Sequence, residues 1–81
     1  MNDPIIIKEI QKNTNNKIKI SVQEYKGKWF LDLRNYLLTE NGEIPTKKGI
    51  ALHSESIADV IEGLLKGAEE LKKIENSNGE Q

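Results

Sequence analysis

Lys17-Ile18-Lys19-Ile20-Ser21-Val22-Gln23-Glu24-Tyr25-Lys26-Gly27-Lys28-Trp29-Phe30-Leu31-Asp32-Leu33-Arg34-Asn35-Tyr36 alternates polar and apolar side chains on both sides of a Lys-Gly pair. Alternation with a period of two is the mark of a half-buried strand, and Gly27 can take the positive φ of a tight turn. With Lys26-Gly27 as a two-residue turn, Tyr25 stands opposite Lys28, Gln23 opposite Phe30, Ser21 opposite Asp32, Lys19 opposite Arg34 and Lys17 opposite Tyr36. Those ten residues share one sheet face, because side chains alternate along each strand. The face carries four cations and three aromatic rings. Ile18, Ile20, Val22, Trp29, Leu31 and Leu33 emerge on the other face, and Trp29 is assigned there to the core. Cations suit phosphates and flat rings suit bases, so the polar face has the chemistry that holds an unpaired nucleic acid strand.

Around this hairpin the chain reads as further strands and one helix. Ile5 to Gln11 is rich in β-formers and predicts a strand, and 1–4 predicts a flexible terminus. Asn13 to Asn16 is a polar turn cluster. Tyr36-Leu37-Leu38 breaks the alternation, which suggests a bulge there. Thr39 to Lys48 reads as a loop or an irregular hairpin: Asn41-Gly42 is a turn signal and Pro45 argues against a central strand. Gly49 to Leu52 predicts a short last strand.

Ile57, Val60, Ile61, Leu64, Leu65, Ala68, Leu71 and Ile74 then recur at three- and four-residue steps, forming the apolar stripe of a helix. His53, Ser54 and Ser56 are candidate caps, and 76–81 predicts a flexible tail. A sheet followed by one helix is an α+β arrangement in two layers, with 5–75 as the single domain. The helix stripe is long for one small sheet, which predicts that its far end packs against a second copy of the chain.

Composition narrows the function. A chain of 81 residues is one domain. A domain this small hides only about 60% of its unfolded surface and is marginal as a lone monomer. The absence of cysteine removes disulfides, thiolate metal sites and a thiol nucleophile. With a single histidine, His53, no nucleophile–base–orienter set can be assembled, so the expectation is a protein without catalytic activity, cofactor or metal. No apolar run approaches the roughly 20 residues of a membrane helix, and no signal peptide is visible. The expectation is therefore a soluble, cytoplasmic protein with no membrane partner.

Net charge is −1, but it is unevenly placed. Between Ile5 and Ser54, nine Lys or Arg stand against five Asp or Glu, a net +4; from Glu55 to Gln81, three Lys stand against seven acids, a net −4. A basic front and an acidic back make an oriented field, which matters more for binding than the total.

The residues also resemble a family. Lys17 to Lys28 is similar to the strand–turn–strand opening of the positive cofactor four (p15) transcriptional coactivators; Leu31-Asp32-Leu33-Arg34-Asn35-Tyr36 is similar to their second strand, and Asn41-Gly42-Glu43 followed by Lys47-Lys48-Gly49-Ile50-Ala51-Leu52 to their third segment. The likeness runs from Lys17 to about Leu71. It implies a curved antiparallel sheet of about four strands with a C-terminal helix, in a homodimeric, Whirly-like architecture that binds single-stranded or melted DNA with little sequence preference.

Carried over by position, the turn aromatic is Tyr25, the turn lysines are Lys26 and Lys28, the strand arginine is Arg34 and the loop pair is Lys47 and Lys48. Leu37 stands where the family often has tryptophan, and a basic residue common near Gln23 is absent. Both departures bear on affinity more than on fold. The compact chain is similar to the bacterial (nucleoid-associated) or phage members.

The resulting expectation is a single-stranded DNA-binding protein in a transcription-regulating, coactivator-like or DNA-maintenance role, with transcription machinery as a possible partner. Its binding residues are Lys19, Tyr25, Lys26, Lys28, Phe30, Arg34, Tyr36, Lys47 and Lys48, with Asp32 orienting Arg34 or Lys19. The alternatives are a protein-interaction module, or an RNA-binding protein, using the same basic face.

Overall fold

The computed structural model describes residues 3–79. Four strands, β1 (Ile5–Gln11), β2 (Asn16–Tyr25), β3 (Lys28–Thr39) and β4 (Gly42–Leu52), precede one helix, α1 (Ser54–Gly79). The sheet is an antiparallel meander in the order β1-β2-β3-β4.

The central hairpin has the register that alternation predicts: Tyr25 pairs with Lys28, Ser21 with Asp32, Lys19 with Arg34 and Lys17 with Tyr36. Lys26 (φ 50°) and Gly27 (φ 82°) are both left-handed. Two positive φ values make a type I′ turn, whose twist matches that of the flanking strands.

The bulge lies elsewhere than expected. β3 pairs with β2 without interruption through Leu37. The irregularity is on β4, between the pairs Arg34–Gly49 and Tyr36–Pro45, so that Thr46, Lys47 and Lys48 stand against Asn35 alone. Thr46 Oγ1 donates to the Asn35 carbonyl (2.7 Å) and accepts the Lys48 N–H (3.2 Å), standing in for interrupted ladder bonds. Strand β4 therefore runs from Gly42 rather than from Gly49, as the irregular hairpin among the two sequence readings. Pro45 is tolerated because β4 is an edge strand. The hairpin closes on Glu40 and Asn41, with Thr39 paired to Gly42 (φ 120°). A second irregularity, between Ile6 and Lys8, leaves Ile7 as an extra residue in β1.

The helix starts where the Ser56 N–H donates to the His53 carbonyl (3.0 Å), which makes His53 the cap residue by its backbone. It is helical as far as Gly79, so the tail expected from Asn76 is regular over 76–79 and only 80–81 lie outside the described residues. Of the terminus expected at 1–4, Asp3 and Pro4 precede β1 without regular structure, and residues 1–2 lie outside the described residues.

The apolar stripe covers much less of the sheet than its length suggests. Ile57 and Val60 are half-buried, lining a groove with Ile20, Leu31, Leu33 and Leu52. Ile61 and Leu64 border the same groove but stay largely open, with Leu64 61% exposed, and Leu71 and Ile74 beyond them are similarly bare. Trp29, assigned to the core from its side of the hairpin, is 45% exposed. It lines a shallow hollow with Val22, Leu31 and Ile57. Leu52 is the one buried apolar residue among the described residues. The radius of gyration is 15.8 Å, against about 12 Å for a compact domain of this length. The apolar layer is present, but a single chain does not close over it.

Candidate nucleic-acid interface

The polar sheet face is built by strand alternation and widened by both edge strands. Glu9 of β1 pairs with Lys19, while Glu43, Gly49 and Ala51 of β4 pair with Leu38, Arg34 and Asp32. The edge strands thus bring two carboxylates onto the cationic face. Lys17 Nζ donates to Glu9 Oε1 (2.9 Å) and Glu43 Oε2 (2.7 Å), and Lys19 is ion-paired with Glu43 Oε1. Glu43, hydrogen-bonded first by Lys17 and then by Lys19, is held below the usual carboxylate range. Lys17 is pushed above its ordinary value by Glu43 and then Glu9. Lys19 Nζ also lies 4.6 Å from the centroid of the Tyr36 ring, a cation–π contact that occupies one face of that ring. At this end of the sheet the cations are already neutralised from within.

The middle of the face is a polar core. Ser21 and Asp32 are only 2% and 4% exposed. Arg34 grips Asp32 with both prongs of its guanidinium, Nε to Oδ2 at 3.1 Å and Nη2 to Oδ1 at 3.0 Å. Its Nη1 reaches across the bulge to the Thr46 carbonyl at 2.8 Å. Asp32 holds Arg34 above its ordinary pKa. Gly49 makes this possible: a Cβ there would lie 2.7 Å from the Leu33 carbonyl oxygen and 2.9 Å from Arg34 Cζ. The Arg34 side chain therefore crosses β4 where no side chain stands in the way. Gln23 Nε2 completes the layer by donating to Ser21 Oγ (2.8 Å).

The turn end of the face is different in kind. Tyr25, Lys28, Phe30, Ala51 and His53 line an open recess of about 220 Å³. The Phe30 and His53 rings are 6.2 Å apart, tilted by 41°. Tyr25 is 62% exposed, with Lys26 Nζ 5.3 Å from its ring centroid. Lys28 is exposed and makes no ion pair among the described residues.

The structure thus sorts the residues expected from sequence into three groups. Tyr25, Lys26, Lys28 and Phe30 gather at the open turn end. Lys19, Arg34 and Tyr36 share the same face but are engaged with Glu43, Asp32 and one another. Lys47 and Lys48 sit in the β4 bulge, and Lys48 lines a depression on the opposite, apolar side with Ile10, Ile18, Leu33 and Ile50.

Two kinds of residue escaped the sequence reading. Glu9 and Glu43 lie on edge strands whose register runs unbroken from the turns before each bulge, from Gln11–Lys17 and from Thr39–Gly42, so a hairpin closed at Glu40-Asn41 sets Glu43 beside the lysines. His53 follows Ala51 by two positions, and that alternation was its only signal.

The model of the family described as Transcriptional Coactivator p15 (PC4) matches residues 12–63. Among solved structures, the chain is similar to a PC4 homolog from Burkholderia pseudomallei in its tetragonal crystal form. The TM-score is 0.76 and the identity 31%, covering 82% of this chain and 98% of that one. It is similar in fold to the bacteriophage T5 homolog of the eukaryotic transcription coactivator PC4, implicated in recombination-dependent DNA replication. There the TM-score is 0.65 and the identity 21%, over 98% of this chain and 96% of that one. It is also 40% identical over 40 residues to the RNA polymerase II transcriptional coactivator KELP of Arabidopsis thaliana, a match covering 49% of this chain and 24% of that protein.

Proposed function

The chain belongs to the transcriptional coactivator p15 (PC4) family, and from that membership we propose that it binds single-stranded DNA on the turn end of its polar sheet face. The observation that supports this reading most is the register: Tyr25, Lys28, Phe30 and Arg34 all emerge opposite the apolar layer. Lys26 and Lys28 neutralise phosphates, while Tyr25 and Phe30 stack on unpaired bases. Stacking accepts any base, so sequence preference is slight. Duplex DNA binds worse because its bases are already stacked on one another. Arg34 shapes the surface through Asp32 and Thr46, and Lys17 and Lys19 are held in reserve by Glu9 and Glu43. The role is one of binding, in transcription regulation or DNA maintenance.

We further propose that the binding form is a homodimer. The uncovered apolar sheet face and the bare stripe from Ile61 to Ile74 complement each other in character. Two copies that bury them gain the core that one copy lacks. Light scattering at micromolar concentration reads a dimeric mass; a monomeric mass removes this part of the reading.

The decisive experiment is a mobility shift with single-stranded DNA, single-stranded RNA and duplex of one sequence, joined to an oligo-dT titration at two salt concentrations. Single-stranded DNA binds best, and the logarithm of affinity falls with the logarithm of salt by about 0.7 per neutralised phosphate. Preference for RNA moves the reading to an RNA-binding protein. No binding to either strand leaves the face as a docking surface for an acidic protein.

A further inference from the structure

We infer that His53 joins Tyr25 and Phe30 in holding an unpaired base, as a further binding residue of the subsite formed by the recess at the turn end. The inference rests on the reading of the face as a single-stranded DNA surface. Three ring systems from three places in the chain converge there: Tyr25 at the end of β2, Phe30 on β3 and His53 between β4 and α1. Ala51 and Lys28 complete the lining, and the Lys28 ammonium, directly after the turn, supplies a cation for the phosphate of a bound nucleotide.

The volume, about 220 Å³, is below the roughly 300–1,000 Å³ of pockets that enclose whole drug-sized ligands, and suits a single flat base. His53 is well placed for this. Its carbonyl is committed to the first turn of α1 through the Ser56 N–H, so the ring is presented from the end of a rigid element. Unlike the Phe30 ring it also carries nitrogen atoms that can donate or accept a hydrogen bond at the edge of a base.

The test uses the full chain and an oligo-dT bearing a single 2-aminopurine, whose fluorescence is quenched on stacking. Because Asn is a favoured helix cap, H53N removes the ring while preserving the start of α1. Relative to the wild type, H53N lowers affinity about five- to tenfold, the lower part of the range for a lost stacking ring. It leaves the salt slope unchanged and diminishes the quenching. H53F restores the quenching. If the wild type binds and H53N equals it in affinity and quenching, the subsite is wrong while single-stranded DNA binding stands. A shallower salt slope in H53N also overturns the subsite, because His53 then acts as a charge rather than a ring. If the wild type does not bind the oligonucleotide, the parent reading fails and this one with it.

Discussion

Glu43 sets how much of the cationic face is available, and neutralising it gives a measurable outcome. Its carboxylate holds Lys17 at 2.7 Å and pairs with Lys19, whereas Lys17 has a second partner in Glu9 at 2.9 Å. The isosteric change Glu43→Gln therefore frees Lys19 and leaves Lys17 paired with Glu9; adding Glu9→Gln frees both. Each lysine released to a phosphate steepens the log–log salt dependence for a single strand by about 0.7, so the single variant gains about 0.7 and the double variant about 1.4. Both variants bind labelled oligo-dT more tightly than the wild type at low salt. Between about 50 and 200 mM salt, that advantage shrinks about 2.6-fold for the single variant and about sevenfold for the double. Fluorescence anisotropy across that range reads both quantities. Salt slopes parallel to the wild type in both variants would mean that Lys17 and Lys19 do not face the strand, and the footprint would then end at Arg34.

Tyr25 and Arg34 separate binding from stability. Tyr25→Ala removes an exposed ring and lowers affinity by about 1–3 kcal/mol with the urea midpoint unchanged. From sequence, Arg34 reads as a binding residue of the polar face. The structure adds a structural role, because Arg34→Ala strands the buried Asp32 carboxylate and costs about 3 kcal/mol of stability in urea unfolding. Gly49→Ala forces a Cβ against the Leu33 carbonyl and the Arg34 guanidinium and lowers stability by about 1–3 kcal/mol, with Arg34 displaced from Thr46. Stability also depends on pH through Glu43, whose folded pKa lies below its unfolded one. Its contribution is complete above about pH 4.3 and is lost as pH falls through the lower folded value. Lys17, raised in the folded state, contributes below about pH 10.4 and loses that contribution as pH climbs through its higher folded value. Urea midpoints measured across pH show both limbs, and Glu43→Gln flattens the acidic one.

The central hairpin was legible because its information is local. Alternation from Lys17 to Tyr36 and one turn glycine determine which residues share a face, since a register slip of one residue would send Ile18, Ile20 and Val22 into solvent. The helix was legible for the same reason, as a periodic stripe with a cap residue before it. The edge strands were not. Their faces depend on where an extra residue is absorbed, and the bulges at Ile7 and Thr46–Lys48 are placed by pairing with distant neighbours.

The sequence by itself therefore determined a sheet with one cationic, ring-bearing side and one apolar side, together with an amphipathic helix. Tertiary structure alone decided which cations are occupied. An ion pair such as Lys17–Glu43 joins residues 26 positions apart, and its geometry exists only once three strands are laid side by side. It also decided that the helix leaves the sheet after its first turns: periodicity reports that a stripe must be buried, but not which surface buries it.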